Sequence, residues 1–309
     1  MNHPQHDQPL SRAGLAHLGV VYVVWGSTYL AIRLAVREGA GFPPFTLACM
    51  RVMAAAAMLL GWAAIRGHRL RPTRAEALVL AGSGLLLWVG GNGLVTWAEQ
   101  RADSGIAALL VGIMPIWGAL IEAALDRRAP SPKLVASLLI GFAGVGLLSW
   151  PLLRHGTSAD VWAVIGLLIA PLTWVAGSIW MARRRPGLSI QAASGWQQLF
   201  GGLGFLVVIV LTGEPRPTPT GEAWLALAYL TVFGSIVAFT SYVTVLRLLP
   251  MQVAMTYTYA NPVIAVLLGH LILDEPITSW TLGGAVLVMA GIAGVFNNRP
   301  QRVSGMASG

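Results

Sequence analysis

The feature that most constrains this chain is a rhythm of apolar runs, stretches of roughly 20 residues nearly free of charge, each closed by arginine, proline or an acidic residue. One such run crosses about 30 Å of hydrocarbon as a helix, and their repetition makes the chain polytopic. Backbone groups in lipid have no water to bond and must be satisfied within each segment, so all-helical is the default. Reading between the punctuation gives helices over 15–35, 44–65, 76–97, 104–124 and 133–150. The second half gives 160–182, 191–212, 222–246, 252–273 and 279–296. Every loop is too short for a soluble domain, which confines the chain's work to the bilayer and its surfaces. Composition agrees: 56% of the 309 residues are hydrophobic and 10% are charged, against about 25% charged in an average soluble domain. The opening MNHPQHDQPLSRAGLAHLG lacks the basic start, apolar core and small-residue site of a cleaved signal peptide, so the first span is expected to be retained.

Charge sets the orientation. With the N-terminus inside, the inner segments hold fourteen Lys and Arg residues and the outer segments five, with Arg51 inside a span. By the positive-inside rule both tails, 1–14 and 298–309, are cytoplasmic. The net charge of +8 is spread singly or in short clusters between apolar runs, which argues against a nucleic-acid face. The lone Cys49 excludes an intramolecular disulfide and a thiolate-built metal centre. No cofactor is expected. One lysine against nineteen arginines, with abundant Ala, Gly and Leu, points to a GC-rich bacterial genome.

The chain also resembles itself. Pro115 and Pro262 lie 147 residues apart, and at the same offset Ala143-Gly144-Val145-Gly146 falls on Ala290-Gly291-Ile292-Ala293. Trp25 and Trp174 are 149 apart. These matches in order argue for a duplicated unit, residues 15–150 and 151–297. Five helices per unit is an odd number, so the second copy enters the membrane upside down. The expected fold is an all-α integral membrane protein of ten transmembrane helices in two inverted five-helix repeats, an arrangement that can rock about a midplane site.

The polar residues inside the spans are the candidates for chemistry. Arg51 carries a charge that costs several kcal/mol at the bilayer centre unless it is paired or faces water; it binds or gates substrate, or it snorkels to the outer headgroups or packs against a backbone carbonyl. Asn92, Thr96 and Glu99 share one face of the third helix, a polar stripe that suggests a water-lined path or an ordinary helix end. Glu122 and His270 are the remaining ionisable groups within spans, able to change charge in a proton-coupled carrier or to anchor at the surface. In YTYANPVIAV, Tyr257 and Asn261 are one turn apart and Pro262 frees a carbonyl in the preceding turn, so Pro262 and its counterpart Pro115 are candidate kinks. In VVWGSTYLAIR, Trp25, Thr28 and Tyr29 share a face beside Gly26 and Ser27, suited to binding or to helix packing. The other tryptophans read as interfacial belt. Zinc-protease, serine-hydrolase, phosphate-loop and dinucleotide fingerprints are absent, and all five aspartates lie in the tail or loops, so no intramembrane aspartyl dyad can form. An enzyme is not expected.

WGSTYLAIR, Arg51, GNGLVTWAEQRADSGIAALL and YANPVIAVLLGHLILDEP together resemble the EamA-type branch of the drug/metabolite transporter superfamily, over residues 15–297. The resemblance implies a bacterial inner-membrane permease in which helices 3, 4, 8 and 9 surround a central cavity closed by helices 1, 2, 6 and 7. It implies export of amino acids, drug-like amphiphiles or other metabolites by a secondary carrier. Matching positions are Trp25, Gly26, Ser27, Thr28, Arg51, Asn92, Glu99, Pro115, Asn261 and Pro262. Many members carry Gly-Glu where helices 4 and 9 end; here Asp126-Arg127 and Asp274-Glu275 stand there. On this reading Arg51 attracts a substrate carboxylate or pairs with an acidic group, Glu99 couples to protons, and Trp25, Trp174, Tyr257 and Tyr259 line the cavity. The partners are a small-molecule substrate, protons and the bilayer; the sequence gives no oligomeric state. A passive facilitator, an importer and, more remotely, an intramembrane enzyme are the competing readings.

Overall fold

The computed structural model describes residues 10–36, 39–98, 104–154, 160–273 and 277–298. Among these the secondary structure is helical throughout: α1 (Arg12–Val36), α2 (Pro44–Ile65), α3 (Arg74–Ala98), α4 (Ser104–Val111 and Met114–Asp126) and α5 (Pro132–Arg154). The second half holds α6 (Val161–Arg184), α7 (Ile190–Thr212), α8 (Gly221–Leu248), α9 (Met251–Met255 and Tyr257–Leu273) and α10 (Ser279–Asn297). Eight of them, α2 to α8 and α10, are long and apolar enough to cross a membrane. Helix ends fall within four residues of those read from the sequence.

Local chemistry sets the helix starts. The side chains of Thr73, Asp160, Ser189, Thr220 and Thr278 each accept a backbone N–H from the first turn that follows, satisfying donors that a helix leaves orphaned. Helix α2 begins on Pro43-Pro44, which offers no such side chain. Its cap comes from elsewhere: the Glu214 carboxylate accepts from the N–H groups of Phe45 and Thr46, both at 2.8 Å, and from Thr46 Oγ1 at 2.7 Å. A carboxylate there also meets the positive end of the helix dipole.

Contacts between connections sort the helix ends into two faces. At one face Glu76 ties Arg69 (2.6 Å) and the N–H of Gly187 (2.8 Å), Arg183 pairs with Asp126 (2.7 Å), and Arg247 donates to Leu188 O. At the other face Glu214 caps α2, and Thr218 and Thr220 donate to the carbonyls of Gly41 and Ala40. The first face carries Arg66, Arg69, Arg71, Arg74, Arg127, Arg128, Lys133 and Arg183 to Arg185. Between the faces the outward side is apolar, with Val210, Leu211, Leu225, Leu282, Val286 and Met289 exposed. Trp62, Trp150, Trp162, Trp224 and Trp280 sit partly exposed near helix ends, the placement of an aromatic belt.

Helix packing follows a five-step exchange. Helix α1 packs on α8 and α9, and α6 packs on α3 and α4; α2 packs on α7 and α8, and α7 on α2 and α3. Helices α5 and α10 pack on each other. Adding five to a label in the first half, or subtracting five in the second, returns the same set. The α5–α10 seam brings Gly141 against Gly291 and Gly144 against Gly284, which explains the repeated Ala-Gly pattern, since small residues let helix backbones approach closely.

Two irregularities repeat as well. Nine residues of α3, Leu85–Gly93, and nine of α8, Leu230–Ala238, form π-helical turns. Helix α4 is interrupted at residues 112–113, and α9 at Thr256. Pro115 stands in the first turn after the α4 break, where its missing N–H costs nothing. Pro262 does not mark the α9 break; it lies inside the continuous stretch Tyr257–Leu273. The break sits six residues earlier, where Thr256 Oγ1 donates to Val253 O at 2.6 Å and meets Tyr22 OH of α1 at 2.5 Å. A hydroxyl bonded back to its own turn competes with the helical ladder.

Candidate functional site

The π-helical turns of α3 and the breaks in α4 and α9 border a cavity of about 100 Å³. Its wall comes from both halves: Trp25, Thr28 and Ile32 of α1, Arg51 of α2, Trp88, Gly91, Asn92, Val95 and Thr96 of α3, Val111 and Met114 beside the α4 break, Trp174 of α6, and Tyr257 and Asn261 after the α9 break. The two breaks meet across it, with Tyr257 OH 3.5 Å from Met114 Sδ.

Arg51 does not snorkel. It is 5% exposed, its Nε donates to Ser235 Oγ at 2.6 Å, and its guanidinium lies 5.5 Å from the Trp88 ring centroid. Ser235 belongs to the π-helical turns of α8, and its own carbonyl accepts from Gln198 Nε2 at 3.0 Å. The neighbouring Gly234 leaves the space that Arg51 fills: a Cβ there would sit 3.1 Å from Nη2. The Gly234 carbonyl accepts from Trp25 Nε1 at 3.1 Å. Thus one irregular turn of α8 holds both the cation and an aromatic wall in place. π-Helical turns of this kind occur often at functional sites.

The corresponding turns of α3 serve α6. Gly91 brings α3 so close that a Cβ would fall 2.7 Å from the Trp174 ring. Trp25 and Trp174, the repeat-matched pair, touch edge to face with centroids 5.6 Å apart. Tyr257 stands 4.8 Å from Trp25, and Tyr242 lies behind both, taking the Trp174 N–H at 3.1 Å and bonding Ser178 at 2.6 Å. Contacts of this geometry add to what area burial alone contributes, so the aromatic wall is a fixed surface.

A family model described as the EamA-like transporter family matches residues 13–150 and again 161–297. The chain belongs to the EamA-like transporter family. Among its relatives is the uncharacterized inner membrane transporter YedA of Escherichia coli strain K12, 35% identical over 254 residues that make up 82% of this chain and 80% of YedA. An uncharacterized transporter of Synechocystis is 25% identical over 94% of this chain and 91% of its own. A WAT1-related chloroplastic protein of Arabidopsis thaliana is 24% identical over 88% of this chain and 66% of its own. One solved crystal structure superposes with a TM-score of 0.79 at 21% identity, covering 96% of this chain and 100% of the other, which shows a shared fold.

In this EamA-like chain, the sequence candidates Trp25, Thr28, Arg51, Asn92, Thr96, Trp174, Tyr257 and Asn261 come together around this cavity. Others do not join them. Ser27 bonds Tyr229 OH at 2.6 Å and Val24 O at 2.7 Å, away from the wall. Tyr259 is buried against α5, donating to Leu138 O at 2.9 Å. Each lies two residues from a lining aromatic, about 200° round the helix, so membership of the same motif placed it on the opposite side. His270 is exposed near the end of α9, and Glu122 accepts from Gln252 Nε2 where α4 meets α9. Glu99 and the side chain of Tyr29 lie outside the described residues, as do Asp274 and Glu275.

Sequence reasoning missed Trp88, Gly91, Met114, Gly234 and Ser235. Trp88 had a signal: it stands four residues before Asn92, one turn along the stripe that continues to Thr96. Gly234 and Ser235 had none, because their role depends on a π-helical turn facing a different helix.

Proposed function

We propose that the chain is a secondary carrier that exports a small polar or amphipathic metabolite from a bacterial cell by alternating access. The observation that carries this reading is the cavity beside the π-helical turns of α3 and the breaks in α4 and α9, walled by residues of both halves. In the proposed arrangement α1 and α9 also cross the bilayer, giving ten spans in two inverted five-helix units. The arginine-rich face is cytoplasmic, with both termini, in the inner membrane that the name of the E. coli relative specifies. Support comes from the five-step packing exchange: two units that swap partners in this way can tilt against each other while the cavity stays between them. The breaks in α4 and α9 supply the bending points.

In this proposal Arg51 orients the substrate, Trp25, Trp174 and Tyr257 hold its apolar part, and Asn92, Thr96 and Asn261 offer hydrogen bonds. Glu99, three residues after Thr96 in the sequence, is the proposed proton-coupling group. The deciding experiment compares metabolites of medium and cytoplasm in overexpressing cells, with an Arg51→Ala control, and repeats the comparison with an uncoupler. A compound that accumulates outside, depends on Arg51 and disappears with the uncoupler supports gradient-driven export. Arg51-dependent accumulation that persists with the uncoupler identifies a passive facilitator instead.

A further inference from the structure

The cavity's charge is of one sign. Among the described residues that line it, Arg51 is the one charged side chain and no carboxylate is present. An arginine guanidinium stays protonated in proteins and has five N–H donors; here Nε meets Ser235 Oγ, and Cζ lies 5.5 Å from the Trp88 ring centroid. A buried cation is strongly disfavoured unless an anion or hydrogen-bond acceptors meet it. The cavity therefore presents one positive charge beside the aromatic faces of Trp25, Trp88 and Trp174.

We propose, building on the carrier reading above, that the substrate is an aromatic organic monoanion whose carboxylate neutralises Arg51 while its ring lies against Trp25 and Trp174. A cation would add like charge beside Arg51, and a zwitterion would bring an ammonium that no carboxylate of the described wall meets. One guanidinium balances one negative charge, which favours a monoanion over a doubly charged phosphate ester.

The test uses purified full-length protein in detergent and four probes that share a phenyl ring on a short chain and differ in charge: phenylacetate, phenylacetamide, phenethylamine and phenylalanine, titrated by calorimetry. Phenylacetate is expected to bind about tenfold or more tighter than the other three, the factor that a charge-assisted pair supplies. Arg51→Gln should reduce its affinity to that of the amide, and Arg51→Lys, which keeps the charge, should retain the preference for the anion. Equal or tighter binding of the amide, the amine or phenylalanine overturns the proposal, as does phenylacetate binding that survives Arg51→Gln, or no binding of phenylacetate at all. If phenylalanine wins and Glu99→Gln removes that advantage, the wall contains an ammonium site and the monoanion assignment is wrong. Binding is read without transport: anion-selective binding with no flux in proteoliposomes would sink the carrier reading alone.

Discussion

Ser235→Ala tests whether the Arg51 contact is a dry, charge-assisted bond or a cation bathed by the cavity. The substitution removes the hydroxyl that accepts from Nε at 2.6 Å and leaves a buried cationic donor unmet. Hydrogen bonds to charged groups contribute about 1.5–3 kcal/mol in soluble proteins, whereas side-chain pairs measured inside a membrane bundle average about 0.6 and reach about 1.7 kcal/mol. The short distance and the burial place this one near the top of the membrane range, about 1.5–1.7 kcal/mol. At about 2–4 °C per kcal/mol for chains approaching this size, the unfolding midpoint should fall by about 3–7 °C. Arg51→Met should cost less than Ser235→Ala or even stabilise, because it withdraws the buried charge and fills its volume with an apolar chain. In the Arg51→Met background Ser235→Ala should then cost about 0.5 kcal/mol or less. Cys49 provides the assay: it is the chain's single cysteine, buried with Sγ against Gly202 O, so a thiol-reactive dye reports unfolding. A coupling below about 0.3 kcal/mol, the usual error of additivity, would mean that water already solvates the guanidinium and would refute the reasoning.

Three further outcomes follow from the same geometry. Glu214→Ala should lower the midpoint by about 1–2 kcal/mol equivalent, since it uncaps α2 from the neighbouring connection after α7, and Glu214→Gln should recover part of the loss; equal midpoints in the dye assay would show that the cap is idle. Tyr259→Phe should cost about 1 kcal/mol for the lost bond to Leu138 O while leaving flux unchanged, whereas Tyr257→Ala should alter flux; a transport defect in Tyr259→Phe would put Tyr259 back among the lining residues. In a Cys49→Ser background, Arg128→Cys should react with an impermeant thiol reagent only from the cytoplasm and Thr218→Cys only from outside. The reverse pattern would invert the proposed orientation.

Much of the architecture was legible because the bilayer reduces the folding problem to one dimension. Apolar length and punctuation located the helices, since lipid forces each segment to satisfy its own backbone. The offset shared by Pro115 and Pro262 revealed the duplication, which the packing exchange and the paired π-helical turns bear out. Spacing along a single helix identified Asn92 with Thr96, and Tyr257 with Asn261, as residues on a common face. That same logic reached its limit at Tyr259 and Ser27, where a motif names residues on both sides of a helix and cannot say which side meets the cavity.

What the sequence determined by itself was therefore whatever depends on neighbours along the chain: membrane residence, helix positions, the internal repeat and the oddity of a charge at Arg51. Only the tertiary structure decided how that charge is held. Its acceptor Ser235 lies 184 residues away on a helix of the other half, brought within 2.6 Å by π-helical turns that apolar periodicity does not encode. The site belongs to neither repeat alone, because its wall exists only where the two meet.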